Sequence, residues 1–314
     1  MTLNGRKQTY PRREKKACQK LREALGQRLK SDVILAPYTT FGIGGKADLF
    51  YRARTPDELV YAIGTAQKSK VNFLVLGGGS NLLVSDSGFR GLVIENVCRH
   101  VIIDQNTITC QSGTQLHRMV NEASNSSLAG LEFAAGIPGT VGGAIRGNAG
   151  AFGKAVGDVL TQAVILTRKG QIKEVDRNYF RFGYRDSILK RSEDTVLSAS
   201  FKLEEKNKRL VKKQIAEYLE RRKKNLTWKE KSAGCYFKNI VRGSEKIPAG
   251  LLLDQIGAKG MQVGGIRVSD RHANILINVK HGKSADVKKL SSILKRMIKT
   301  KFNINLIEEV VYIS

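Results

Sequence analysis

Between Gly130 and Gly153 the chain reads GLEFAAGIPGTVGGAIRGNAGAFG, with eight glycines in twenty-four residues. No ordinary core helix or strand tolerates so many positions without a side chain, so the backbone here is expected to come close to something. Glycine permits positive φ and close approach, and successive N–H groups in such turns form concavities that hold phosphates. A second stretch, Leu76-Gly77-Gly78-Gly79-Ser80-Asn81-Leu82, follows the largely apolar run Val71–Leu76 and repeats the logic. Two such loops imply a dinucleotide-sized ligand. Flexible linkers are polar throughout, whereas these glycines are interleaved with Phe133, Ile137, Val141, Ile145 and Phe152. Neither stretch carries G-x-G-x-x-G spacing or a GK[ST] ending, so the phosphate chemistry requires a fold other than those two fingerprints announce.

At 314 residues with 41% hydrophobic content the chain can bury a substantial core, in roughly two or three domains. No apolar run reaches the roughly eighteen residues of a membrane span. The polar, basic N-terminus has no apolar secretory core. Cys18, Cys98, Cys110 and Cys235 form no C-x-x-C pair, which points to reduced thiols in a cytoplasmic protein and gives no support to a metal site. The formal charge of +26 raises nucleic acid as a partner. The basic residues cluster in an N-terminal arm (Arg6, Lys7, Arg12, Arg13, Lys15, Lys16, Lys20), in 206–231 and in 288–301. Only 7% of residues are aromatic and none interleave these clusters as a base-stacking platform requires, so specific nucleic-acid recognition is not expected. A positive field also suits ligands that all carry phosphate.

Cys18, Leu21, Ala24 and Leu25 fall at helical spacing in the first thirty residues. Thr55-Pro56-Asp57-Glu58 is a helix start, with Thr55 as N-cap and two acids in the first turn, of a helix running to about Lys68. Strands are predicted at 73–76, 92–94, 101–104 and 107–110, then a helix at 114–124. Further strands fall at 159–166, 172–175 and 195–203, and a basic helix at 208–224. A separate α+β pattern follows Thr227, ending in a helix over 284–299 and a strand over 309–313. The natural cut lies near residue 205.

Three polar positions stand out. Arg185, in Tyr184-Arg185-Asp186-Ser187 at a turn, reads as a carboxylate clamp or as a surface ion-pair partner. Cys235, in Ser232-Ala233-Gly234-Cys235-Tyr236-Phe237-Lys238-Asn239, reads as a reactive thiol or as an inert small hydrophobe. Glu308-Glu309 precedes an apolar run, where solvent exposure is the default.

In combination, Thr39–Gly45, Gly77–Leu83, Gly136–Gly153, Tyr184–Ser187, Gly234–Asn239, Ala249–Gly260, Val268–Asn278 and Glu309-Val310 resemble the UDP-N-acetylenolpyruvoylglucosamine reductase family, from about Tyr38 to the C-terminus. The resemblance implies an α+β protein: a basic arm and helix (1–37), an FAD-binding domain of the vanillyl-alcohol-oxidase (PCMH) type with two α+β subdomains (38–205), and a smaller α+β substrate domain (206–314). It implies FAD contacts from Gly77, Gly78, Gly79, Ser80 and Asn81, from Gly136, Ile137, Pro138, Gly139, Thr140, Gly142 and Gly143, and from Asn148 and Gly150. The implied reaction is NADPH-dependent reduction of UDP-N-acetylglucosamine enolpyruvate to UDP-N-acetylmuramate, in peptidoglycan precursor synthesis, by a cytoplasmic monomer with no membrane or specific nucleic-acid partner. Catalytic roles then fall on Arg185, which holds the substrate carboxylate, on Cys235 as proton donor, and on Glu309. Substrate contacts fall on Tyr184, Tyr236, Lys238 and Asn239. Where many relatives have serine, this chain has Cys235, whose thiol, with an ordinary pKa of about 8.5, is a stronger acid than a hydroxyl. Glu308 replaces a common proline and leaves the choice between Glu308 and Glu309 open. Ile240 likewise replaces proline, and the lack of an insertion between Tyr184 and Cys235 suggests the shorter subtype.

Overall fold

The computed structural model describes residues 12–225, 230–243 and 245–314; the start of the basic arm lies outside them. Helix α1 (Arg12–Leu25) buries Leu21 and Leu25 in a first core. That core backs a four-stranded sheet in the order Lys30–Ile34, Lys46–Ala53, Phe89–Asn96, Phe73–Leu76, in which only the first pair is antiparallel. Helix α2 (Pro56–Lys68) starts as predicted, Thr55 Oγ1 accepting from Glu58 N at 3.2 Å. Its buried Leu59, Ala62, Ile63 and Ala66 follow the spacing of one helical face.

A second, wholly antiparallel sheet runs Ile172–Asp176, Leu160–Leu166, Thr195–Lys202, Thr107–Gln111, Val101–Asp104. Helices α3 (Leu116–Asn125) and α4 (Val141–Gly147) contribute to its core. α4 corrects the expectation that the glycine-rich stretch holds no helix. Thr140 caps it, its Oγ1 accepting from Gly143 N at 3.5 Å, and Asn148 ends it at φ +42°. Glycine is tolerated there because Val141, Ala144 and Ile145 supply the buried face. A single turn, α5 (Leu189–Ser192), follows, and then α6 (Lys208–Asn225), whose Ile215, Tyr218 and Leu219 pack against this second core.

The C-terminal part has its own core around α7 (Ala249–Gln255), α8 (Ser284–Phe302) and the antiparallel strands Gln262–Val263, Ile266–Val268 and Leu276–Asn278. Phe41, Ile43 and Leu83 from the first half of the chain join that core. Two further ties cross over. The Asp86 carboxylate accepts from Ser284 N (2.9 Å), Ser284 Oγ (2.8 Å) and Ala285 N (3.3 Å) at the start of α8. The last strand, Val311–Ile313, pairs in parallel with Leu82–Val84, directly after the first glycine loop. That strand begins two residues later than predicted, so Glu309 lies ahead of it.

Candidate active site

The two glycine loops pack on each other. Ser80 Oγ donates to Pro138 O at 3.0 Å, and a Cβ added to Gly78 would sit 2.9 Å from Gly139 Cα. Gly79 is held at φ +59°, and a Cβ there would lie 2.0 Å from Tyr38 O. Glycine is therefore demanded at 78 by loop-on-loop contact and at 79 by the close approach of Tyr38. Among the described residues, the N–H groups of Gly78, Gly79, Ser80, Asn81 and Gly139 find no protein acceptor. A cluster of unpaired backbone donors is what an anionic group needs.

Beside this cradle, three distant segments converge. Arg185 sits in a tight turn at φ +53°, where Gly183 and Asp186 exchange both backbone hydrogen bonds. Two side chains hold the turn: Lys190 Nζ donates to Arg185 O, and Asn148 Nδ2 donates to Gly183 O at 2.9 Å. The Arg185 guanidinium turns away from its neighbour Asp186, which pairs with Arg191 instead, and reaches Glu309, with Nε 2.9 Å from Oε1. That N–H is not aligned on the oxygen, so the guanidinium keeps hydrogen-bonding capacity for a second anion. Glu308 points elsewhere, to Ser291 Oγ (2.9 Å) and Lys295 Nζ (2.7 Å).

Cys235 is exposed as a residue, while its sulfur is crowded by neighbouring protein atoms. Burial against protein, reinforced by the Glu309 charge and opposed by Arg185 and Arg222, pushes it up to about 11. The thiol therefore stays protonated at neutral pH, which reduces the electrophile sensitivity expected of a free active-site cysteine. Burial likewise raises Glu309 above the ordinary carboxylate range, against the pull of Arg185, Lys190, Lys238 and Lys246. Tyr184, one-third exposed, lies under Lys246 Nζ, 4.1 Å from the ring centroid, and its hydroxyl accepts from Asn239 N at 3.4 Å. Asn239 Oδ1 is taken by Ala249 N at 3.1 Å. Cys235 and Asn239 also line a cavity of about 320 Å³ with Pro248, Gly250, Leu251 and His272.

A family model for an FAD-binding domain matches residues 47–176, and one for the UDP-N-acetylenolpyruvoylglucosamine reductase C-terminal domain matches residues 226–313. The reductase of Carboxydothermus hydrogenoformans is 37% identical over 93% of this chain and 97% of its own length. That of Caldanaerobacter subterraneus is 36% identical over 93% and 96%. The crystal structure of UDP-N-acetylenolpyruvylglucosamine reductase (MurB) from Thermus caldophilus superposes with a TM-score of 0.76 at 33% identity, covering 90% of this chain and 98% of that one. The chain belongs to the UDP-N-acetylenolpyruvoylglucosamine reductase family. As a member it is an FAD-dependent oxidoreductase of peptidoglycan precursor synthesis, with an FAD-binding domain of the PCMH type.

The cradle fits the FAD of this reductase family: the unpaired N–H groups converge where the two loops meet, in the spans expected to hold a pyrophosphate. The Asn148 side chain bonds within the protein to Gly183 O and Gly157 N and keeps one amide N–H free. Tyr236 is 3% exposed, its ring edge-on to Phe237 in the C-terminal core, so its side chain cannot line a substrate cleft. Sequence reasoning missed Lys190, Lys246 and Arg222. Arg222, on α6, donates from Nη2 to Phe133 O (3.2 Å), lies over the Phe152 ring (5.3 Å), and keeps a buried, unpartnered Nε. Only its position in a basic run marked it, and that run reads as a solvated face.

Proposed function

We propose that Arg185, Cys235 and Glu309 are the groups with which this chain reduces the enolpyruvyl ether of UDP-N-acetylglucosamine enolpyruvate to the lactyl ether of UDP-N-acetylmuramate. The observation that carries the reading is the 2.9 Å approach of Arg185 to Glu309 beside the protonated Cys235 thiol, from segments about fifty and seventy residues apart. FAD, when bound, supplies the hydride, drawn from NADPH; the loops 77–81 and 136–143 are the residues that hold it. Arg185 grips the substrate carboxylate through its free N–H groups. When the substrate's terminal methylene has gained hydride, the former double-bond pair moves onto the neighbouring carbon and carboxylate, where Arg185, with Lys190, Lys238 and Lys246 nearby, stabilises the charge. Cys235 Sγ then gives its proton to that carbon, and the thiolate regains one from water. Glu309 fixes the direction of the Arg185 guanidinium. Tyr184, Lys238 and Asn239 contact the UDP-sugar.

The cofactor part spans 38–205 and the substrate part 206–314, with α6 leaning on the former. The enzyme acts as a cytoplasmic monomer using NADPH. In support, no helix among the described residues is long and apolar enough to cross a membrane, and Cys98, Cys110 and Cys235 are free thiols. Anaerobic stopped-flow absorbance at the oxidised-flavin band tests the reading. NADPH is expected to bleach the band and UDP-N-acetylglucosamine enolpyruvate to restore it. Bleaching without recovery would remove the assigned substrate.

A further inference from the structure

The carboxylate of Glu309 lies in no strand, since the ladder with Leu82–Val84 begins only at Val311. Its peptide is held from two sides. Glu309 N donates to Tyr236 O at 2.8 Å, next to the thiol-bearing residue. Glu309 O accepts from Asn81 Nδ2 at 3.0 Å, and among the described residues no other donor reaches it. Asn81 also accepts, through its own carbonyl, from Val311 N at 3.0 Å. Asn81 thus fixes the chain on the C-terminal side of Glu309, with a side-chain bond to the Glu309 carbonyl and a backbone bond to Val311 N. The loop itself is pinned by Ser80 to Pro138 and by Thr40 N donating to Gly79 O at 3.3 Å, so it has little freedom to drift.

We infer that Asn81 is a positioning residue for Glu309, coupling the cofactor loop to the carboxylate that aims Arg185, and that its side chain serves the substrate-reducing half-reaction rather than the grip on FAD. The inference rests on the role given to Glu309 above. An amide suits this position because its N–H₂ donates to the peptide carbonyl, whereas a carboxylate would set lone pairs against that oxygen, and a shorter hydroxyl would fall short of it. Because Leu82 enters the ladder directly, the backbone from which the side chain at 81 projects is fixed. A small displacement of a catalytic group is costly even where no contact to substrate is lost.

The test uses full-length flavoprotein carrying Asn81→Ala, Asn81→Ser, Asn81→Asp or Glu309→Gln, read by FAD dissociation constant, melting temperature and the two half-reactions across pH. N81A and N81S are expected to keep FAD affinity within about threefold and NADPH bleaching within about twofold. They are expected to slow recolouring by substrate about tenfold, the scale of one lost hydrogen bond, and to displace its pH profile. N81D is expected to slow recolouring further. Unchanged recolouring in N81A overturns the inference. So does equal slowing of both half-reactions, or loss of FAD or of the fold in both N81A and N81S, because each makes Asn81 a cofactor or structural residue. Wild-type recolouring in E309Q instead overturns the role of Glu309, while a slow E309Q beside an unaffected N81A removes the coupling alone.

Discussion

The cofactor cradle is made of backbone and the cleft beside it of side chains, and the two obey different rules. In the cradle, residues close in sequence turn their N–H groups to one place, and the demand falls on glycine, whose missing Cβ lets one loop touch another. In the cleft, each functional side chain is ordinary where it stands, and only the fold brings them together. Arg185 could have paired with Asp186, one residue away, yet the turn delivers it to Glu309. The difference teaches that a cradle is fragile to added atoms anywhere in its loops, whereas a cleft is fragile at a few atoms and at whatever aims them.

Substitutions can separate the two. The largest effect is expected from Arg185→Gln, which should slow recolouring of the reduced enzyme by substrate about 10³-fold while leaving FAD bound and NADPH bleaching intact. If R185Q instead sheds FAD, the cleft is not independent of the cradle. Cys235→Ala should cost about 10²-fold in the same step, with Cys235→Ser recovering most of it. A companion measurement is the rate of iodoacetamide labelling at Cys235. The raised pKa means less thiolate at every pH below it, so the rate should climb through about 11 rather than through the ordinary thiol range. A midpoint near 8.5 would mean that the protein does not hold the proton on sulfur.

Gly79→Val addresses the cradle from the opposite direction. Its Cβ would lie 2.0 Å from Tyr38 O at a positive φ, so denaturant melts should show a loss of about 2–3 kcal/mol together with weakened FAD binding. Full flavin content and unchanged stability in G79V would mean that the first loop does not need its close approach to Tyr38. The smallest effect sharpens the comparison: Glu308→Gln removes a partly exposed ion pair with Lys295 and should cost under about 1 kcal/mol. Recolouring in E308Q should remain within about twofold of wild type, because its side chain turns to Ser291 and Lys295 rather than to Arg185.

The sequence could be read where structure follows from neighbours in the chain. The start of α2 was legible because Thr55, Pro56 and Glu58 supply cap, first-turn geometry and an N–H to be capped within four positions. The antiparallel sheet was legible from alternation, and the glycine loops from composition. Helix α4 was hidden because its glycines masked the spacing of Val141, Ala144 and Ile145. Burial of Tyr236 could not be read, since two adjacent aromatics both enter the core where the strand pattern allows only one. Nor could the opposite directions of Glu308 and Glu309, which are set by Lys295 and Ser291 on α8 and by Arg185, partners remote from both in sequence. Lys190 gave no signal because its work is to hold a carbonyl, which any donor of the right length could do.

The bond from Asn81 to Glu309 spans 228 positions of the chain, and the neighbouring ladder joins Leu82–Val84 to Val311–Ile313. During synthesis, therefore, the first glycine loop stands with one side unsupported until the strand Val311–Ile313 has been made. Pairing over so long a separation is slow. FAD captured before that strand has docked would meet a half-finished receptacle, so committed binding is expected to follow the pairing.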